Sequence, residues 1–596
     1  MSKQFEISSR IYRNGAPRLY RRKPGEPTTR ALQVFATDPA DSALDGALTT
    51  VKIPWEPLRP GPEGKLFNIV GWDEESKTRY SPLNLDDPLV LAQGGIKPST
   101  TNYQFLMQMS YAVAMTTYNV FRRALGRDIY WAFEGPLQIY PFARKEMNAY
   151  YNRERQALIF GWYRAEESNR RNLKNGLVFT ALSHDIIAHE VSHALLDGMR
   201  PYFFRPYHHD TLAFHEAFSD LVAIFQHFRH RDLVSNAIMR CRGNIKEAEM
   251  LTDLARQFGH TTKSDGGALR TSVDDYRADG NGEPKKYKAG EGEHALGSVL
   301  VSAVFEAFTT IFERKTRRLV RLATNGSGVL REGAMPELLA QMLARKASEL
   351  ADQFLSVCIR AIDYCPPVAV SFGDFLRAVI TADYALVPDD PYGYREALVD
   401  AFVRREIPIQ GVTTLSEESL LWPSLYEKVD NRLVEALSHE VDEYVYSGLR
   451  KTNRRYVDRA NIIGKYLLSS NSVFSMLALD RPGSPGVGLP KIESARVCRR
   501  ISPDGYLEID LVIEIAQNVK RKVNGRWMNL VQGSTVILDT GGRLRHVISK
   551  TADQLVREME EGTAKREFPF EKYFGRTQNG WDEKSNILRR IHESNS

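Results

Sequence analysis

At 596 residues the chain is longer than one hydrophobic core usually serves, so roughly two to four domains are expected. Its balance of 42% apolar and 26% charged residues excludes a fibrous or broadly disordered protein. The net charge of +6, from 80 basic against 74 acidic residues, is too even to argue for a nucleic-acid partner.

Residues 1–23 mix Arg, Gln, Glu and Asn with no apolar run, so no cleavable secretory signal is visible. The apolar stretch 296–305 is too short for a membrane span and runs into Glu306. Cys241, Cys358, Cys365 and Cys498 are scattered without CxxC spacing, which suggests free thiols in a reducing compartment. A cytoplasmic location is therefore expected.

Residues 1–95 read as irregular and strand-rich, broken by Pro60-Gly61-Pro62 and Gly94-Gly95. A helix is predicted over 101–125, with Ser99, Thr100 or Thr101 as N-cap and Gly126 as the stop. Strand-like segments follow through Leu137, Ile139 and Tyr140 and over 148–162. Three apolar helical stretches come next, at about 178–196, 211–228 and 294–312, and further helical patterns lie at 336–364, at 372–385 and up to Phe402. After a helical connector over 409–480, the segment RPGSPGVGLP at 481–490 is a linker by composition. Beyond it Leu507, Ile509, Leu511, Ile513 and Ile515 alternate with polar residues as in a half-buried strand. Asn524-Gly525 and Gly541-Gly542 then supply hairpin turns, which makes 481–596 a linker and a small β-rich accessory domain.

The chemistry lies in the helical stretches. Ala188-His189-Glu190-Val191-Ser192-His193 contains HExxH. Four residues apart on a helix, His189 and His193 are only ~40° apart around its axis, so both imidazoles can reach one metal ion. Glu190 sits beside that face, placed to act as a base. Glu216 follows 23 residues after His193, with Asp220 one turn further on the same face. A catalytic zinc takes three protein ligands and keeps one open position, and His, His and Glu is a known set. Asp220 is a candidate to orient a ligand imidazole.

These residues resemble the thermolysin family of gluzincin metallopeptidases. The resemblance begins at Asp185-Ile186-Ile187-Ala188 leading into HExxH and continues with ExxxD from Glu216 to Asp220. Upstream, Asn148-Ala149-Tyr150-Tyr151 is similar to the family's edge strand, whose Asn and Ala hold an extended substrate backbone. Downstream, Ala268-Leu269-Arg270-Thr271-Ser272 and Gly292-Glu293-His294-Ala295-Leu296-Gly297-Ser298 resemble the segments that carry a substrate-gripping arginine and a transition-state histidine. Taken singly, Arg270 reads as a surface ion-pair partner, His294 as a helix N-terminal residue and Asn148 as a turn former. Their order makes them a set.

The resemblance covers about 100–405 and implies an α+β, two-lobed core over 96–408, with a β-rich N-lobe and a helical C-lobe between flanking regions. It implies one zinc per chain held by His189, His193 and Glu216, with Glu190 as general base. His294 and either Tyr202 or Tyr207 would stabilise the oxyanion, and Asn148, Ala149 and Arg270 would set substrate register. Leu269 and Ile186 would line an apolar pocket. It says nothing of calcium. His215 stands where the family carries Asn before the ligand Glu, and the acid that orients His294 is off its usual offset, with Glu291 or Glu293 as substitutes. The expected substrate is a peptide or protein, and the flanking regions are candidates for binding a protein partner. Two other classes stay open: a catalytically silent or regulatory zinc-binding protein, and a zinc hydrolase of a non-peptide amide or ester.

Overall fold

Short strands broken by proline and glycine open the chain, as their turn chemistry dictates. The structure, a computed structural model, describes residues 4–593 except 14–19, 21, 40–46, 166–173, 249–250, 252, 255–269, 272–282, 331–332, 334, 425–452, 470, 502–506, 540–542, 566, 578–579 and 585–586. Strand β1 is Glu6–Ile7, β2 (Thr29–Phe35) pairs antiparallel with β3 (Leu48–Pro54), and β4 is Phe67–Ile69. Helix α1, Tyr103–Leu125, starts at Asn102, whose side chain accepts from the Gln104 N–H at 2.9 Å. The cap is thus one residue past the three expected. The helix stops where Gly126 turns left-handed at φ 65°.

A five-stranded sheet packs beside α1. It runs β8 (Leu177–Phe179), β7 (Ala157–Arg164), β5 (Leu137–Lys145), β4, with β6 (Ala149–Asn152) also pairing antiparallel to β7. Because β4 lies parallel to β5, residues before position 95 complete the sheet of the central region. The helix expected over 178–196 is divided. Leu177-Val178-Phe179 pair with β7, a 3-10 turn follows, and extended Ser183 opens α2 at His184–Met199. The β-branched and aromatic residues gain more from the sheet edge than from a helix.

Helix α3 (His209–His227) packs on α2. Helices α4 (Glu293–Ala323), α5 (Glu337–Ala361), α6 (Phe372–Tyr384) and α7 (Tyr394–Arg404) complete a helical cluster over one continuous core. By length and composition α4 would suffice to cross a membrane, yet 78% of its most apolar window is buried inside the protein, so it is a core helix here.

The chain then builds a seven-stranded sheet in the order β1, β9 (Lys491–Ile501), β10 (Leu507–Val523), β11 (Arg526–Asp539), β14 (Gly580–Glu583), β13 (Phe574–Thr577), with β12 (Leu544–Lys550) also on β11. The β10–β11 hairpin turns through Asn524-Gly525, both at positive φ (47° and 74°), as a two-residue turn requires. The Gly541-Gly542 turn lies outside the described residues. Helix α8 (Ala552–Ala564) and the short α9 (Ile587–Glu593) follow. The parallel pairing of β1 with β9 joins the two ends of the chain in one sheet. The architecture is therefore mixed α and β.

Candidate functional site: a buried histidine and carboxylate group

Helices α2 and α3 bring their polar faces together beneath the N-terminus of α4. His189 Nε2 and His193 Nε2 lie 3.0 Å apart. Glu216 Oε2 is 3.2 Å from the first and Glu216 Oε1 is 3.5 Å from the second. A tetrahedral ion with bonds near the usual zinc lengths has ligand-to-ligand edges of roughly 3.3 Å, and the separations here are close to that, with a different oxygen of Glu216 nearest each ring. His189, Glu190 and His193 alone form a buried group that could hold a metal ion, their ligand atoms all within 4.8 Å of one another. Each of the four residues is under 5% exposed.

The far sides of the imidazoles are fixed as well. Asp220 Oδ1 lies 2.8 Å from His189 Nδ1, which places the proton on that nitrogen and leaves Nε2 as a lone-pair donor. His193 Nδ1 faces His215 Nδ1 at 2.7 Å, with Ser219 Oγ at 3.2 Å. Two ring nitrogens this close share one proton. If His193 offers its Nε2 lone pair, its Nδ1–H donates and His215 accepts as a neutral ring. Burial supports that state by pushing the His215 imidazole down to about 4. His215 is the orienting group that sequence reasoning did not assign. The signal was its place immediately before Glu216, beside a ligand candidate.

His294, second residue of α4, brings Nδ1 to 3.2 Å from Glu216 Oε2. Gly297, one turn on, allows the approach. A Cβ there would sit 2.9 Å from the Ala213 carbonyl and 3.4 Å from the Ala217 N–H nitrogen, so α4 could not lie this close to the turn carrying Glu216. Asp185, in the first turn of α2, is hydrogen-bonded to His227 in the last turn of α3, which locks the two helices at their other ends.

Searches against protein-family models and curated proteins find no match.

The remaining expected residues are placed variously. Asn148 accepts the Gly161 N–H through its carbonyl at 2.9 Å, and its side chain accepts the Ala149 N–H at 2.8 Å. Ala149 begins β6, which is tied to the end of α2 by the Tyr151 hydroxyl donating to Asp197 Oδ2 at 2.8 Å. Ile186 packs partly buried against the core. Arg270 lies in a two-residue strand, Arg270–Thr271, paired with Asp253–Leu254, while Leu269 lies outside the described residues.

Two expectations are redirected. Glu291 does not reach His294: its carboxylate is 3.7 Å from Lys288 Nζ, and Glu293 accepts from Lys572 Nζ (2.5 and 2.8 Å) and from the Tyr573 hydroxyl (2.5 Å). Among the described residues, the carboxylate seen against His294 is that of the ligand candidate Glu216. Tyr202 donates its hydroxyl to Glu493 Oε1 of β9 at 2.7 Å, and burial beside that carboxylate holds the phenol well above its ordinary range. Tyr207 stacks on Phe574 and donates to the Asn529 carbonyl at 3.4 Å. The loop between α2 and α3 is long enough to reach the seven-stranded sheet, and both tyrosine hydroxyls are engaged there.

The C-terminal region also reaches the other side of the site. Helix α9 packs against β6, with Leu588 and Ile591 buried and the Arg589 guanidinium 5.5 Å from the centre of the Tyr150 ring.

Proposed function

We propose that the chain is a zinc-dependent endopeptidase of thermolysin-like type, with His189, His193 and Glu216 as the ligands. The observation that carries this reading is the convergence of the two Nε2 atoms and the Glu216 carboxylate, at separations of 3.0, 3.2 and 3.5 Å. Two imidazoles and a carboxylate suit zinc, and three protein ligands leave a position open. When bound, zinc supplies Lewis acidity and lowers the pKa of a water in that position.

Glu190 is on the ligand helix, within 4.8 Å of both ligand histidines, and is the base that takes a proton from the attacking water and returns it to the leaving amine. His294, against the same Glu216 oxygen, donates to charge that develops on the substrate carbonyl. Asp220 and His215 hold the ligand rings in the tautomer the metal needs. The substrate is an extended peptide, recognised through main-chain hydrogen bonds along β6, where Asn148 and Ala149 lie.

A second reading is favoured by one observation: the donor group is nearly sealed, and α9 lies against β6. On that reading the protein binds zinc but is latent or regulatory. One experiment separates the two. Glu190→Gln keeps size and hydrogen-bonding reach but removes basicity, so zinc and fold are retained while cleavage of a peptide library falls at least ~100-fold. Equal cleavage by wild type and variant refutes the mechanism. Stoichiometric zinc with no cleavage by wild type selects the latent protein.

A further inference from the structure

A large apolar space in the helical cluster lies away from the histidine and carboxylate group. A cavity of about 500 Å³ opens between α4, α5, α6 and α7, walled by Val304, Phe354, Leu376, Val379, Leu398 and Phe402. Its size is that of a small-molecule site rather than a packing defect, since interiors rarely leave more than water-sized voids. Val387 and Tyr392, each close to half exposed, stand at its mouth.

The polar groups on its wall are not equivalent. Asp352 pairs with Arg229 at 2.6 Å, Asp383 with Arg395 at 2.7 Å, and Asp390 accepts the Tyr394 and Arg395 N–H groups at 2.7 and 2.9 Å. Lys315 differs. Among the described residues its ammonium has no carboxylate within 4.0 Å; it lies 3.4 Å from Gln353 Oε1 and over the Tyr392 and Tyr394 rings at 4.6 and 5.1 Å. Partial burial lowers its pKa, the mark of a cation short of compensating charge. Arg360, also on the wall, keeps a buried Nε with no hydrogen-bond partner among the described residues. Each acid has an N–H or guanidinium partner, although burial lifts the Asp383 carboxyl to about 6, whereas Lys315 meets only an amide oxygen and two ring faces, so the end of the space beside Lys315 is complementary to a negative charge on an apolar body.

We propose that this cavity binds a single-chain amphiphile with an anionic head, of the long-chain fatty-acid class, the chain lying between the four helices and the carboxylate at Lys315. A bare anion has no use for the apolar wall, and a neutral lipid leaves Lys315 as it is. The proposal is independent of the metal site.

The test uses the full-length protein and displacement of a fluorescent polyene fatty acid by oleate or by oleyl alcohol. Wild type is expected to bind the probe saturably, with oleate the better competitor. Lys315→Gln should weaken oleate by about tenfold or more, the scale of one charge-assisted hydrogen bond, and leave oleyl alcohol nearly unchanged. Lys286→Gln, at a surface lysine paired with Glu406, should change neither. Leu376→Trp fills the cavity and should abolish binding. Should that variant not fold, Val387→Trp at the half-exposed mouth gives the same result without a core substitution. Absence of saturable binding in wild type, or wild-type binding by Val387→Trp and Leu376→Trp, overturns the site. Equal competition by acid and alcohol with no effect of Lys315→Gln overturns the head-group assignment.

Discussion

Two buried carboxylates, Glu216 under α2 and Glu514 in the seven-stranded sheet, are 1% and 0% exposed, yet their surroundings differ in kind. Glu514 is ringed by guanidinium groups: Arg496 at 3.1 Å, Arg200 at 3.7 Å and Arg10 at 3.9 Å. Glu216 is ringed by imidazoles: His189 at 3.2 Å, His294 at 3.2 Å and His193 at 3.5 Å. Arginine is always charged and carries no lone pair, so Glu514 is neutralised by the protein alone. Imidazoles differ from guanidinium groups in that a neutral ring offers a lone pair that a metal ion can use. The first arrangement is complete as folded; the second, on the proposed function, is completed by a cation.

The arginines at Glu514 also explain why the sheet belongs to the fold rather than hanging from it. Arg496 donates to the Met199 carbonyl and Arg10 to the Gly198 carbonyl, so both cap the C-terminal end of α2, the helix that carries HExxH. Arg200 donates to the Ile362 carbonyl at 3.0 and 2.8 Å.

The difference can be broken by mutation. Glu514→Gln removes the central charge of a sealed cluster and strands its cations, which should cost about 3–5 kcal/mol in denaturant unfolding, whether or not metal is present. Glu216→Gln should instead remove the metal. If Glu514→Gln is neutral for stability, the cluster is not a structural tie.

Asp220→Asn sharpens the other side. It keeps the shape beside His189 but weakens the hold on Nδ1–H, and metal affinity should fall about 10–100-fold in a competitive chelator titration while the fold persists. Unchanged affinity would deny Asp220 an orienting role.

Acid gives the smallest effect. Asp363 takes a bidentate contact from Arg127 at 2.7 and 2.8 Å, with Cys498 Sγ alongside. Burial alone would raise its carboxyl, but Arg127, Arg496 and Arg200 outweigh that and hold it well below the usual carboxylate range. A depressed folded-state pKa contributes stability that is present above the unfolded value of about 3.9 and is lost as pH falls below it. Thermal unfolding should therefore show a loss below about pH 4 that is shallower in Asp363→Asn, with the variant already less stable at pH 7. An identical acid limb in both proteins would remove Asp363 from the explanation.

The sequence made the candidate metal group legible because helical spacing alone brings His189 beside His193, and Glu216 beside Asp220. Gly126, the Asn524-Gly525 turn and the alternation from Leu507 to Ile515 were legible for the same reason: each acts through its own few residues. What was not legible depends on contacts between distant segments. The engagement of Tyr202 by Glu493 spans 291 positions, and the capture of Glu293 by Lys572 and Tyr573 spans 279 and 280. The pairing of β1 with β9 joins Glu6 to Lys491. Composition around 481–490 suggested a linker to a separate domain, whereas the arginines that bind the sheet to α2 carry no local periodicity.

Metal content measured on wild type and on His193→Ala tests the central claim most directly. Wild type purified without added chelator should carry about one zinc per chain, and His193→Ala, which removes one corner of the donor face, should lose nearly all of it while remaining folded. Wild type without zinc, or stoichiometric zinc retained in His193→Ala, would contradict the assignment.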